Sequence, residues 1–143
     1  MPNSLLETLD PPFGVRVANL IVELNNTTGY NWVITSGRRT MKEQRDLYEQ
    51  GRTKPGKVVT KAPPGYSPHN FGLAADLAPM SQHGNTIWWE APRSVWKQMA
   101  DLAVEKGFVA GFYFKSIFDG PHIEDANWKD VQKAWIKGEL KVA

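Results

Sequence analysis

Hydrophobic positions along the chain fall into short periodic blocks separated by turn residues. Phe13, Val17, Leu20 and Leu24 recur at helical spacing, so residues 12–27 read as an amphipathic helix. Pro11 and Pro12 stand at its start, where proline is tolerated. The run 31–36 (NWVITS) is β-branched and aromatic and predicts a short strand ended by Gly37. Thr40 and Glu43 form a T-x-x-E capping box that opens a helix to about Gln50, with Gly51 as its stop. Residues 51–68 hold four prolines and three glycines and predict a long ordered loop. Residues 72–78 (GLAADLA) read as a short buried strand, and 79–91 as a second loop carrying Trp88 and Trp89. Pro92 begins a helix with Val95, Met99, Leu102 and Ala103 on one face, and Gly107 stops it. The aromatic segment 108–118 and then 121–124 (PHIE) predict two closing strands. Asp125 is placed to cap a last helix with Trp128, Val131 and Trp135 inward, ended by Gly138. The expected fold is α+β: residues 1–143 as one compact domain, with a small central antiparallel sheet flanked by helices.

Composition narrows the function. A chain of 143 residues, 41% hydrophobic and 22% charged, can bury a real core and still form a cleft. Six tryptophans are read first as core packing. There is no cysteine, so the fold owes nothing to disulfides, and a metal site must use histidine and carboxylate ligands. The net charge is +2 and the basic residues form no single run, so a nucleic-acid partner is not expected. No segment approaches ~18 consecutive apolar residues, so no membrane insertion is expected either. The opening MPNSLLETLDPPFGVR lacks the pattern of a signal peptide, which predicts synthesis in the cytoplasm without an export signal.

Two segments carry the candidate chemistry. In the first, Ser67-Pro68-His69-Asn70-Phe71-Gly72-Leu73-Ala74-Ala75-Asp76, a histidine closes a loop and an aspartate follows seven residues later inside an apolar strand. A charge there costs several kcal/mol unless it is neutralised, and a metal cation would neutralise it. Gly72 lets the backbone turn between the two, and Ala74 and Ala75 leave room. In the second, Asp119-Gly120-Pro121-His122-Ile123-Glu124, an acid precedes a histidine by three residues. Strand alternation places His122 and Glu124 on one face and Ile123 on the other. Two histidines and one carboxylate are the usual ligands of a catalytic zinc that keeps a position for water. Asp119 is then free to act as general base. The scissile carbonyl also needs a cationic partner, and Arg38 or Arg39, just after the first strand, could point into the cleft. His83, in the polar stretch SQHGN, is read as exposed.

The pattern S-x-H-x-x-G-x-A-x-D, followed late in the chain by D-x-x-H-x-E, resembles the zinc peptidase family of D-alanyl-D-alanine carboxypeptidases and L-alanyl-D-glutamate endopeptidases. The segment Thr35-Ser36-Gly37-Arg38-Arg39-Thr40, continuing to Glu43-Gln44, is similar to that family's S-G-x-R-[ST] element, and Gly51–Gly56 also matches. The likeness runs from about Asn31 to Glu124. It implies one Zn2+ per chain held by His69, Asp76 and His122 in a cleft on the sheet. It implies Asp119 as catalytic base, Arg39 as the carbonyl-polarising cation, and Ser67 as a substrate contact near the metal. The implied substrate is the stem peptide of peptidoglycan. One departure from the dipeptidase branch is informative: Asp119-Gly120-Pro121 stands where that branch has Glu and an aromatic. The D-G-x-H form is similar to bacteriophage endolysins that cleave the L-Ala–D-Glu bond. That likeness implies a monomeric lysin made in the host cytoplasm, released by a holin and active on the cell wall. The alternative is a D-alanyl-D-alanine carboxypeptidase that trims terminal D-Ala. A wall-binding module with a structural zinc is disfavoured, because Asp119 is present and only three ligands are found.

Overall fold

The computed structural model describes residues 4–83 and 85–143. Residues 1–3 and Gly84, in the polar stretch next to His83, lie outside the described residues. Among the described residues there are five α-helices: α1 (Ser4–Glu7), α2 (Pro11–Thr28), α3 (Met41–Glu49), α4 (Arg93–Glu105) and α5 (Trp128–Ile136). Four strands, β1 (Trp32–Ser36), β2 (Ala74–Pro79), β3 (Phe108–Ala110) and β4 (His122–Asp125), form one sheet in the order β1-β2-β4-β3. Every neighbouring pair is antiparallel, as the α+β reading requires. Among the described residues no helix is long and apolar enough to cross a membrane.

The helical stripe predicted for α2 is the one buried: Phe13, Val17, Leu20 and Leu24 join Val95, Trp96, Met99, Ala100 and Ala103 of α4. Ala75, Leu77 and Ile123 complete this cluster from the sheet. Trp32, Trp96 and Trp128 are buried, whereas Trp89 stays exposed. At α3 the capping box is formed as written in the sequence: Thr40 accepts from Glu43 N, and Glu43 accepts from Thr40 N.

The segment before β2 is more structured than the sequence reading expects. Pro68–Phe71 form a short 3-10 helix, and Gly72 leaves it with φ +70° before the strand begins at Ala74. The expectation of a strand over 108–118 is corrected. Only Phe108–Ala110 pair, and Gly111–Tyr113 turn into a second 3-10 helix. Gly111 O accepts from both Phe114 N and Asp119 N, which takes the chain off the ladder. The aromatics beyond it pack on one another, with the Phe112 and Phe118 rings 5.1 Å apart, instead of alternating across a sheet. Asp125 is also reassigned. It ends β4 opposite Phe108, while Asn127 stands at the cap of α5 and donates its N–H to the Asp125 carboxylate.

Gly72 is where two constraints coincide. Its φ is one that a side chain rarely adopts, and an added Cβ would lie 2.7 Å from the Asp10 backbone nitrogen. That nitrogen donates to Gly72 O and ties the turn to the start of α2. Gly72→Ala is therefore expected to lower stability in urea unfolding by more than about 1 kcal/mol. Unchanged stability would mean that the turn relaxes freely.

Candidate active site

The site is set by strand register. Asp76 on β2 and His122 on β4 are directly opposed partners in the ladder, so their side chains rise side by side from one face. Ser36 of β1 faces Asp76 from the other edge, where the register shifts between Ile34 and Ser36. His69 comes from the 3-10 helix that precedes β2. The three side chains offer ligand atoms that all lie within 4.8 Å of one another. Asp76 Oδ1 lies 3.6 Å from His69 Nε2 and 3.4 Å from His122 Nδ1, distances too long for good hydrogen bonds. It is a buried oxygen without a hydrogen-bond partner. An orphaned carboxylate oxygen facing two imidazole nitrogens fits a divalent cation of the zinc type.

Each imidazole is oriented from behind. His69 Nδ1 lies 2.9 Å from Gly37 O, where it can donate, which turns Nε2 toward Asp76. His122 Nε2 lies 2.7 Å from Glu124 Oε1, which turns Nδ1 toward the same oxygen. Such partners fix which ring nitrogen faces a metal. The ionisation pattern follows. Burial opposes a charge on Asp76, but its two histidine neighbours outweigh that and hold its carboxyl well below the ordinary range. Burial likewise opposes a charge on His122, yet Asp76 and Glu124 push it up to about 9.

Asp119 and Arg39 line the same cleft, of about 350 Å³, together with Ser67, His69, Asp76 and His122. Asp119 is fixed through its backbone: its N donates to Gly111 O (3.0 Å) and its O accepts from His122 N (3.2 Å). A Cβ at Gly111 would lie 2.4 Å from Asp119 O and 2.9 Å from His122 Cβ, so this close approach requires glycine. Burial pushes the Asp119 carboxyl up, as does the charge on Asp76, against the pull of His122, His69 and Arg39. A cation at the His/Asp/His centre would oppose that rise.

The structure separates the two arginines. Arg38 turns away, its Nε donating to Thr8 O (2.9 Å). Arg39 enters the cleft, its Nη1 donating to Gln44 Oε1 (2.8 Å). Burial lowers its pKa, and the carboxylates of Asp76, Glu43 and Asp119 oppose that. Gln44 and Asn70 are fully buried polar side chains that the sequence reading does not single out. Gln44 also donates to Ala62 O (2.7 Å), and Asn70 donates to Arg39 O (2.9 Å) and accepts from Gly65 N (3.0 Å). The long loop is thus tied to the arginine. A signal for Gln44 exists in the sequence: it lies between Met41 and Leu47 on the inward stripe of α3. Asn70 gives no such periodic cue. Ser67 caps the 3-10 helix by accepting from His69 N (3.3 Å), and His83 is exposed.

Residues 13–128 match the VanY family, described as D-alanyl-D-alanine carboxypeptidase. The chain belongs to the VanY family. It is 42% identical over 102 residues to the peptidoglycan L-alanyl-D-glutamate endopeptidase CwlK of Bacillus subtilis (strain 168), a match covering 67% of this chain. The chain spans 61% of that relative's length. Solved structures with a similar fold include the following two. The L-Ala D-Glu endopeptidase ChiX of Serratia marcescens has a TM-score of 0.61 at 24% identity, covering 90% of this chain and 88% of that one. A vancomycin-resistance D,D-pentapeptidase VanY in complex with Zn(II) has a TM-score of 0.58 at 18% identity, covering 91% of this chain and 79% of that one.

A metal ion taken up by the His/Asp/His group would have to displace a proton. With His122 pushed up to about 9, the metal-free protein carries that proton at pH 7, whereas a ligand imidazole is neutral. Apparent affinity for zinc should therefore rise up to about tenfold per pH unit between pH 7 and 8.5 and flatten near 9. Titration calorimetry in buffers of different ionisation enthalpy, with chelator-buffered zinc, reads the released proton. An affinity independent of pH over that window would contradict the protonated resting state.

Proposed function

We propose that this protein is a zinc-dependent peptidoglycan peptidase, its 143 residues serving as one catalytic domain that hydrolyses the L-Ala–D-Glu bond of wall stem peptides. One observation carries the reading: a partnerless carboxylate oxygen of Asp76 and two histidine nitrogens converge in the cleft that also holds Asp119 and Arg39. The choice of bond is supported by the 42% identity to a peptidase of that specificity. The lytic, endolysin-type role is supported by the Asp119-Gly120-Pro121-His122 form of the second half-site.

His69, Asp76 and His122 would hold the ion. When bound, zinc supplies a Lewis acid that acidifies water and polarises a carbonyl. Asp119 accepts the proton of the attacking water as its oxygen bonds to the scissile carbon. When the C–N bond breaks, Asp119 delivers that proton to the leaving amine. Arg39 stabilises the negative charge that develops on the carbonyl oxygen. Gln44 holds its guanidinium against one wall, so little reorganisation is needed. Ser67, which lines the same cleft, is the substrate contact.

Digestion of purified peptidoglycan followed by mass spectrometry distinguishes the bonds. Release of whole stem peptides with a new D-Glu amine is expected, and loss of single alanines would instead assign a carboxypeptidase. Asp119→Asn should keep its zinc and fold yet lose about 10²–10⁴ in turnover. A turn aspartate would tolerate the same change, because Asn accepts the same local hydrogen bonds. Turnover within a few-fold of wild type in zinc-loaded Asp119→Asn would remove Asp119 as the base.

A further inference from the structure

Glu124 follows a metal-facing histidine by two residues, and the mechanism above does not use it. Its place in the structure is specific. β4 alternation puts it on the face of His122, opposite Ala74 of β2, a residue small enough to leave room. Both of its oxygens are engaged. Oε1 lies 2.7 Å from His122 Nε2, and Oε2 accepts from Trp128 Nε1 at 3.0 Å. Trp128 is itself buried and stacked on Phe71, with ring centroids 6.3 Å apart and planes 27° from parallel. Phe71 belongs to the 3-10 helix that carries His69. The first turn of α5 is therefore linked through one carboxylate to one histidine and through ring stacking to the element bearing the other.

We infer that Glu124 is a positioning residue that selects which nitrogen of His122 is presented to the metal, and that the Trp128 indole makes a carboxylate indispensable there. The inference rests on the reading of the His/Asp/His centre as a zinc site. Two N–H donors converge on one side chain, each on its own oxygen, and only a carboxylate accepts on both. In the neutral imidazole that a metal requires, Oε1 accepting from Nε2–H leaves the lone pair of Nδ1 facing Asp76. Glutamine cannot reproduce this. Its single oxygen can serve Trp128 or His122 but not both. When the oxygen serves Trp128, the amide NH2 faces Nε2, which must then accept, and the hydrogen moves to Nδ1 and blocks it. The indole N–H thus makes the carboxylate indispensable, and its removal should make an amide acceptable. Glu124 is a positioning residue here, since both oxygens are already committed within the fold.

Zinc affinity of the full chain, measured at one fixed pH by competition with a chromogenic chelator, tests this with zinc alone as the probe. Glu124→Gln is expected to weaken zinc about 10–100-fold. Trp128→Phe keeps the aromatic stack and should leave affinity within a few-fold of wild type. In the double variant the amide is free to turn its oxygen to His122, so affinity should recover toward that of Trp128→Phe alone. Recovery separates positioning from charge, because the double variant lacks the negative charge as fully as Glu124→Gln does. Thermal unfolding of each metal-free variant is followed in parallel, since a merely structural role would lower the midpoint without moving zinc affinity. Wild-type affinity in folded Glu124→Gln, or no recovery in the double variant, would overturn the inference. Failure of the wild type to bind zinc would overturn the metal reading itself, and this inference with it.

Discussion

The opposition of Asp76 and His122 across β2 and β4 is the constraint on which the rest depends. Side chains alternate along a strand, so a slip of one residue would send Asp76 into the core and bring Ala75 to the cleft. The core resists that slip. Ala75, Leu77 and Ile123 occupy the opposite face and are fully buried in the cluster shared with α2 and α4. Hydrophobic burial on one face therefore holds a charged pair in place on the other. The same register puts Glu124 beside His122, so one ladder supplies two members of the His/Asp/His group and a hydrogen-bond partner for one of them.

Around this pair the chain surrounds buried charge with fixed partners. Gly37 O and Glu124 hold the two imidazoles, and the Gly111 backbone holds Asp119. Gln44 and Asn70 hold Arg39 and tie it to the loop at Ala62 and Gly65. Among the described residues, the buried side-chain oxygen left without a hydrogen-bond partner is Asp76 Oδ1, which faces both histidines. A buried acceptor in that condition is costly, and the surrounding hydrogen bonds keep it from relaxing onto another donor. Two imidazole nitrogens and a carboxylate oxygen in that arrangement fit a cation of the zinc type.

Much of this was legible in the sequence because the signals were local. The α2 stripe, the Thr40–Glu43 box and an aspartate inside GLAADLA each depend on neighbours a few residues away. The strand pairing that joins residue 76 to 122 is not local, and the antiparallel sheet was expected only as a class of fold. Near the site the sequence misleads where a glycine answers to a distant contact. Gly111 carries no local cue within the aromatic segment 108–118, and only the fold shows that an added Cβ there would meet Asp119 and His122. Arg38 and Arg39 are alike to periodicity, and only the fold shows that Arg38 reaches back to Thr8. Gln44 and Asn70 were missed because their partners, Ala62, Gly65 and Arg39, lie on other segments of the chain. The family resemblance supplied the choice of Arg39, and residue spacing did not.

Anomalous diffraction at the zinc edge from crystals of the zinc-loaded protein tests the central claim most directly. One peak per chain is expected, about 2.0–2.2 Å from His69 Nε2, Asp76 Oδ1 and His122 Nδ1. A peak at another cluster, or one bound through Glu124 or through the other nitrogen of His122, would contradict the account.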